Sequence, residues 1–283
     1  MTPLELYGRA ADEAAATVIR RYSTSFGLAS RLLSTRNRVH VQNIYALVRV
    51  ADEIVDGVAA AAGLPGSAVA AQLDALEADV EQAIGSGYSS NLIVHAFART
   101  ARANRFGTEL TRPFFASMRA DLTAAEHTPE SFAEYVYGSA EVVGLMCLAA
   151  FLEGRPASQR LEQGARALGA AFQKVNFLRD LSADYDGLGR SYFPGVTITA
   201  LDEETKNRLL DDLDADLAVA AAVLGQLPRG SRHAVGVAQR LFAELSARLR
   251  RTPAEQLRSR RVRVPDPVKL RLVAAELSGV RRA

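Results

Sequence analysis

The stretch NIYALVRVADEIVDG, residues 43–57, places three acidic side chains within five positions of an otherwise apolar segment. In an α-helix, residues four apart share one face, so Asp52 and Asp56 would project side by side. Tyr45 and Arg49 continue the same polar stripe toward the start of the segment. The rest of the cylinder is mostly apolar. We therefore predict a helix that is buried on most sides and whose polar stripe lines an internal cavity.

A second stretch, FQKVNFLRDLSADYDG at residues 172–187, repeats this arrangement. Asp180 and Asp184 are four residues apart, and Gln173 and Asn176 extend their stripe backwards. The periodicity again indicates a helix with one polar face on an apolar body. The two helices together predict a central cavity with an aspartate motif on each side.

Carboxylates gathered in an apolar cavity raise one another's pKa and need compensating positive charge. Arg49 and Arg179, which adjoin the two motifs, can supply part of this charge. A divalent cation would supply more, and Mg²⁺ prefers carboxylate oxygens together with substrate phosphates. The pattern therefore predicts a diphosphate that is held through Mg²⁺, with Mn²⁺ as a substitute.

The chain of 283 residues has an ordinary globular composition, with 48% hydrophobic and 23% charged residues. Ala, Leu, Arg and Glu dominate, and the sequence has no long alternating β-branched runs, which favours helices throughout. The breaks between segments do not resemble domain linkers, so we predict a single all-α domain over residues 1–283. A net charge of +2 gives no indication of nucleic acid binding.

Several features predict a cytoplasmic location. The single Cys147 excludes an internal disulfide, and the N-terminus lacks the layout of a signal peptide. The longest apolar run, residues 142–152, is too short to span a bilayer. The arginines within residues 248–263 are a candidate surface for peripheral membrane contact.

The acidic group at residues 202–204 is expected to be solvated charge.

Capping signals divide the chain into helices. The expected N-caps are Ser34, Thr128 and Thr252. Gly57 is expected to end the helix that Ser34 begins. Pro253 and Glu255 would complete a capping box after Thr252.

The aspartate motifs, together with YSTSFGLASRLL (22–33), YVYGSAEVVGLMCL (135–148) and RVRVPDPVKL (261–270), resemble the squalene/phytoene synthase family of head-to-head prenyltransferases. The resemblance covers nearly the whole chain, and the sequences of these motifs are most similar to those of bacterial phytoene synthases of the actinobacterial type. It implies the isoprenoid synthase fold of class I terpenoid synthases. It also implies that two geranylgeranyl diphosphates condense to phytoene through a cyclopropylcarbinyl (prephytoene) diphosphate, in carotenoid biosynthesis, with Mg²⁺ and without NADPH.

The resemblance also assigns roles to individual residues. The residues that match the two metal-binding motifs are Asp52, Asp56, Asp180 and Asp184. Arg49 and Arg179 match arginines that contact diphosphate. The residues that match substrate-binding positions are Ser23, Ser25 and Phe26 of an S-x-S-F motif, Tyr45, Tyr135, Gln173, Asn176 and Arg261.

Two positions depart from the family pattern. Glu141 stands where many members have a small residue, and Phe242 stands where some have tyrosine. The first departure concerns the shape of the cavity, and the second removes a hydroxyl that could transfer a proton. Small residues such as Ala140, Gly144 and Ala170 would leave room for a long prenyl tail.

Three alternatives remain open. A presqualene diphosphate or squalene-type synthase acting on farnesyl diphosphate would differ mainly in cavity depth. A terpene cyclase would use the same helices for another reaction. A non-catalytic member acting as an assembly factor would be expected to have eroded motifs, and here all four aspartates are present. Oligomeric state and prenyl chain length are not predicted from the physical pattern.

Overall fold

The computed structural model describes residues 1–23, 25–123, 126–188, 192–197, 201–258 and 261–279, without the side chains of residues 25, 26 and 181–188. These residues are mostly helical and contain no β-strand, which confirms the all-α prediction. The helices are α1 (Pro3–Tyr22), α2 (Ser25–Ser30), α3 (Thr35–Val55), α4 (Val58–Ala61), α5 (Gly66–Ser86), α6 (Leu92–Asn104), α7 (Thr108–Ala120), α8 (Pro129–Val136), α9 (Val142–Phe151), α10 (Gln159–Leu188), α11 (Glu203–Ala221), α12 (Arg229–Arg251), α13 (Ala254–Leu257) and α14 (Asp266–Leu277). A π-helical segment, Tyr137–Glu141, joins α8 to α9.

Ser34 and Thr128 begin helices as predicted. The Ser34 hydroxyl accepts a hydrogen bond from the Asn37 N–H and starts α3, which carries the first aspartate motif. This helix ends at Val55, and Gly57 follows with a φ of +104°, a conformation that favours glycine. Thr128 caps α8 in the same way and sets the start of the run that continues into α9.

The capping box predicted at Thr252 is wrong. Thr252 follows the last residue of α12, and its hydroxyl donates a hydrogen bond back to the Arg248 carbonyl at 2.9 Å. The Ala254 N–H at the start of α13 donates instead to Glu203 of α11 at 2.6 Å. The last carbonyls of a long helix need donors. The Thr252 hydroxyl therefore donates to a carbonyl at the end of α12. At the start of α13, the Glu203 carboxylate accepts the N–H that Thr252 was expected to cap.

Two hydrophobic clusters hold the helices that carry the aspartate motifs. α3 contributes Ile44 and Leu47 to a cluster shared with α5, α6, α7 and α9. α10 contributes Ala171 and Val175 to a second cluster shared with α11 and α12. All four side chains are at most 1% exposed. Burial of these apolar faces fixes both helices, and both also pack against α9.

Close backbone packing explains several small residues along α9 and α10. A Cβ atom on Gly144 would lie 2.4 Å from the Ala165 carbonyl oxygen, and one on Gly169 would lie 2.4 Å from the Ala140 carbonyl oxygen. These distances are shorter than any van der Waals contact. Gly144, which the sequence suggested would leave room for a substrate tail, therefore allows α9 to touch α10.

From Pro129 to Phe151 the chain forms one continuous helical run, longer than the apolar segment 142–152. By length and composition alone this run could cross a membrane. Core helices of globular proteins also meet this criterion. It packs against α3, α7 and α10, as a core helix does.

His95 on α6 is fully buried between two tyrosines. Its ring centre lies 4.9 Å from that of Tyr7 and 5.8 Å from that of Tyr88. Neither ring nitrogen has a hydrogen-bond partner in the described part of the chain. Burial, with a smaller contribution from the Arg99 charge, lowers the pKa of His95. The folded protein therefore favours the neutral ring.

We expect the free energy of unfolding to fall as the pH drops below about 6.5, the usual pKa of histidine. Below that value the unfolded chain binds a proton that folded His95 does not, which costs up to about 1.4 kcal/mol per pH unit until the folded pKa is reached. Urea unfolding at about pH 7.5 and about pH 5 measures this loss, and His95→Phe should reduce it because phenylalanine does not titrate.

Tyr88→Phe is the matched control, since it alters the same contact and keeps His95. It should show the pH dependence of the wild type. Equal pH dependence of the wild type and His95→Phe would contradict the assignment.

Candidate active site

The polar stripe of α3 meets the end of α1. Ser23 directly follows the last residue of α1, and its side chain is hydrogen-bonded to the Tyr45 hydroxyl. Burial raises the pKa of Tyr45, which the nearby Asp52 carboxylate also favours and the Arg49 guanidinium opposes. The structure thus brings together four of the residues predicted for the site.

Arg49 is the centre of this group. Its guanidinium lies 4.7 Å from the centre of the Tyr22 ring, 3.9 Å from Asp52 Oδ2, and in contact with the Glu53 carboxylate. Arg49 Nε is buried and has no hydrogen-bond partner in the described structure. Asp56 lies one turn beyond Asp52, directly after the last residue of α3.

Two arginines hold Asp180 on α10. Arg179 donates from Nε to Oδ1 at 3.0 Å and from Nη2 to Oδ2 at 2.5 Å. Arg261 donates to the same two oxygens, from Nε at 2.7 Å and from Nη2 at 3.2 Å. The residue predicted as a C-terminal phosphate contact is thus placed at the second aspartate motif. Two guanidinium groups on one carboxylate leave an excess positive charge, which suits an anion.

Two other predicted site residues of α10, Gln173 and Asn176, lie on the side away from α11. Lys174 donates to Asp212 of α11 at 2.5 Å and so fixes which side of α10 faces that helix. Gln173, Asn176 and Asp180 form a stripe on the opposite side, because each residue turns the helix by about 100°. Gln173 and Asn176 are half-buried.

Tyr135 lies in the core rather than at the stripe. Its hydroxyl donates to both oxygens of Asp121 at 2.9 Å, and the Tyr192 hydroxyl donates to Asp121 Oδ1 at 3.3 Å. Burial and the adjacent carboxylate raise the pKa of Tyr135 well above its usual value. Asp121 was not predicted, and no sequence signal pointed to it, because its partners are 14 and 71 residues away.

The two departures from the family pattern have structural partners. The Glu141 carboxylate accepts a hydrogen bond from Arg166 Nε at 2.6 Å. The Phe242 ring stacks on Phe172, with ring centres 3.7 Å apart. Glu141 therefore has a paired charge, and Phe242 contributes an apolar surface without a hydroxyl.

Some predicted residues fall outside the description. Ser25, Phe26 and Asp184 are described by their backbone alone, as parts of α2 and α10. A cleft of about 290 Å³ lies in another place, where Asp12 of α1, Asn43 of α3 and Arg99 of α6 meet. Its lining includes none of the predicted site residues.

The carboxylates present fit a cation that arrives with its substrate. In the described part of the chain, no three His, Cys, Asp or Glu side chains converge to hold a metal ion. Asp52 and Asp180 are instead separate, partly exposed carboxylates beside arginines. Mg²⁺ is commonly bound by one or two carboxylates plus substrate phosphates. The donor set is therefore suitable for Mg²⁺ bound to a diphosphate.

The arrangement of helices is the isoprenoid synthase fold. A solved dehydrosqualene synthase shares the fold with a TM-score of 0.77 at 21% identity, over 98% of this chain and 99% of that one. The model of the squalene/phytoene synthase family matches residues 19–267. The chain belongs to this family, whose members are prenyltransferase-type synthases that bind prenyl diphosphates.

Curated relatives include phytoene synthases. The chain is 28% identical over 259 residues to the 15-cis-phytoene synthase of a Paracoccus species. The aligned region covers 86% of this chain and 83% of the relative. It is 32% identical over 198 residues to phytoene synthase 3 of Zea mays. This aligned region covers 68% of this chain and 44% of the maize protein. The chain thus spans less than half of the length of the maize relative.

Proposed function

We propose that this chain condenses two geranylgeranyl diphosphates head to head to phytoene, through a cyclopropylcarbinyl (prephytoene) diphosphate, in carotenoid biosynthesis. The observation that carries the proposal is the cluster of Arg179, Asp180 and Arg261, in which two guanidinium groups contact one carboxylate. In this proposal the carboxylate binds Mg²⁺ and the guanidinium groups bind diphosphate. The names of the Paracoccus and maize relatives support phytoene as the product.

In this proposal the arginines bind the leaving diphosphate. Arg179 and Arg261, which now share Asp180, would turn part of their donors to the diphosphate oxygens, and Arg49 Nε would add another donor. Guanidinium groups match phosphate oxygens in pairs. Negative charge grows on the diphosphate as its bond to the allylic carbon breaks, so these donors stabilise the transition state more than the ground state. Mg²⁺, when bound, supplies further neutralisation of that charge.

Apolar surface would protect the allylic cation. The stacked rings of Phe172 and Phe242 are examples of side chains that offer no nucleophile. Exclusion of water leaves the double bond of the second substrate as the attacking group. The attack, with loss of one proton, closes the ring of the cyclopropylcarbinyl diphosphate. This intermediate then loses its own diphosphate, rearranges and loses a second proton. Proton loss ends the reaction without a hydride, so NADPH is not required.

The main alternative is a presqualene diphosphate or squalene-type synthase acting on farnesyl diphosphate. The shared fold of the dehydrosqualene synthase keeps this alternative open. A non-catalytic assembly factor is weaker, because the described motif residues and their arginines remain in contact. A terpene cyclase would use the same helices and is distinguished by its product.

Product analysis decides between these functions. Purified protein is incubated with geranylgeranyl or farnesyl diphosphate, each with and without NADPH, and the extracted hydrocarbon is identified. Phytoene from the longer substrate in both conditions supports the proposal. Presqualene diphosphate, squalene or a cyclised product from one substrate molecule would refute it, and so would failure to consume either substrate.

Removal of divalent cations should stop the reaction. We expect EDTA to lower turnover by at least about a hundredfold, because it removes neutralising charge that the arginines cannot replace. Added Mg²⁺ or Mn²⁺ should restore the rate, whereas added Na⁺ at equal ionic strength should not. Full turnover in EDTA would show that arginines alone bind the diphosphate.

We further propose a cytoplasmic enzyme in peripheral contact with the membrane, because its substrates and product are lipids. The arginines within 248–263 offer little support, since Arg248, Arg250 and Arg261 form ion pairs within the chain.

A further inference from the structure

The start of α11 holds the chain that follows α12. Lys206 Nζ donates to the carbonyl oxygen of Thr252 at 2.6 Å and to that of Arg250 at 3.3 Å. Glu203 accepts the Ala254 N–H at 2.6 Å. These bonds join the first turn of α11 to the end of α12 and the start of α13.

Lys206 is an unusual residue to find in this place. Its side chain is 1% exposed, and it lies in the first turn of its own helix, where the helix dipole disfavours a positive charge. Glu203 Oε2 lies 2.6 Å from Nζ, so each of the three ammonium protons has an acceptor. Glu203 was expected to be solvated charge; its side chain is 58% exposed, and its carboxylate also pairs with Lys206. An apolar side chain at this position would stabilise the fold at least as well as a buried lysine. The arrangement therefore points to a role in positioning the segment that Lys206 contacts.

The same contact region leads to the second aspartate motif. Arg258 Nη2 donates to the carbonyl of Leu201, just before α11, at 2.9 Å. Arg261 follows three residues later and binds Asp180. Three residues span at most about 11 Å. A chain anchored from Thr252 to Arg258 therefore limits where the Arg261 guanidinium can be.

We propose that Lys206 and Glu203 are positioning residues, which hold residues 252–258 so that Arg261 reaches Asp180. The placement stands on contacts alone. Its consequence for the reaction rests on the proposed function, in which Arg261 contacts the substrate diphosphate.

Hydrogen exchange tests the placement without using activity. Lys206→Met keeps the length of the side chain and removes its charge. Amides within residues 254–264 should exchange at least about tenfold faster in this variant, while α6 keeps the protection of the wild type. Unchanged exchange within 254–264 would overturn the proposal.

Lys174→Met is the matched control. Lys174 is also a poorly exposed lysine that contacts α11, and its ion-pair partners there, Asp212 and Asp216, lie outside residues 252–258. Its substitution should leave exchange within 254–264 unchanged. Faster exchange there in both variants would mean that any weakening of α11 loosens the segment, which would also overturn the proposal.

A double-mutant cycle on kcat/KM tests whether Lys206 acts through Arg261. Arg261→Gln should lower kcat/KM by about 10- to 100-fold, as expected for loss of a hydrogen-bonded charge, and Lys206→Met by about tenfold. If both act through one contact, the double variant should be no slower than Arg261→Gln alone. Effects that multiply would overturn the proposal.

Two provisions keep the outcomes distinct. Glu203→Ala carries the same tests if Lys206→Met does not fold, because the Glu203 side chain is 58% exposed and its loss leaves no cavity. If the wild type turns over no prenyl diphosphate, the proposed function fails, and hydrogen exchange still decides the placement.

Discussion

Replacing Asp180 with asparagine is expected to lower kcat for prenyl diphosphate condensation by about a thousandfold. The carboxylate contacts Arg179 and Arg261 through both oxygens, and in the proposed function it also binds Mg²⁺. Asparagine keeps the size of the side chain but has no charge, and its NH₂ group would face a guanidinium donor. The charge acts mainly while the diphosphate leaves, so kcat should fall more than KM rises.

Asp52→Asn should have a similar effect, because Asp52 is the corresponding carboxylate beside Arg49. Asp212→Asn is the matched control. Asp212 lies on α11 and contacts a cation, Lys174, on the side of α10 away from Asp180. The Asp212 side chain is 62% exposed. This variant should retain nearly the rate of the wild type. Steady-state kinetics with the substrate identified by product analysis would measure all three.

Near-normal turnover of Asp180→Asn would contradict a role for this carboxylate in binding the metal or placing the arginines. A comparable loss in Asp212→Asn would show instead that α10 responds to any change of charge. Circular dichroism and urea unfolding separate both outcomes from loss of the fold.

The sequence predicted the parts of the site that follow from spacing along one helix. Asp52 and Asp180 were found because residues at i, i+4 and i+7 share a face, and Ser34 and Thr128 were found because N-caps act on neighbouring N–H groups. The family resemblance added Arg261, which spacing alone could not connect to Asp180 across 81 positions.

The parts that were missed depend on contacts between distant segments. The contact of Glu203 with the Ala254 N–H was missed because the two residues are 51 positions apart. Thr252 looked like an N-cap because the sequence does not show that α12 continues up to it and uses its hydroxyl. Local patterns state which side chains can cap a helix, and the tertiary fold decides which of them does so.

Gly138→Ala is expected to lower the free energy of unfolding by about 3 kcal/mol or more. Gly138 lies in the π-helical segment, and an added Cβ would be 2.2 Å from the Pro113 carbonyl oxygen of α7 and 2.2 Å from Ser117 Oγ. The serine side chain could rotate, but the carbonyl belongs to the backbone of α7. The two helices would have to separate by roughly 1 Å, which loosens packing along the whole contact.

Gly85→Ala provides the matched control, because Gly85 is also helical and has open space around its Cβ position. This variant should be slightly more stable than the wild type, by up to about 1 kcal/mol, since alanine favours helices. Urea unfolding of both variants measures the difference, and a Gly138→Ala variant as stable as the wild type would show that α7 can move without cost. Because the π segment packs against α10 as well as α7, the separation should also disturb the helix that carries Asp180. A small residue at position 138 therefore supports the site through the fold, without contacting the substrate.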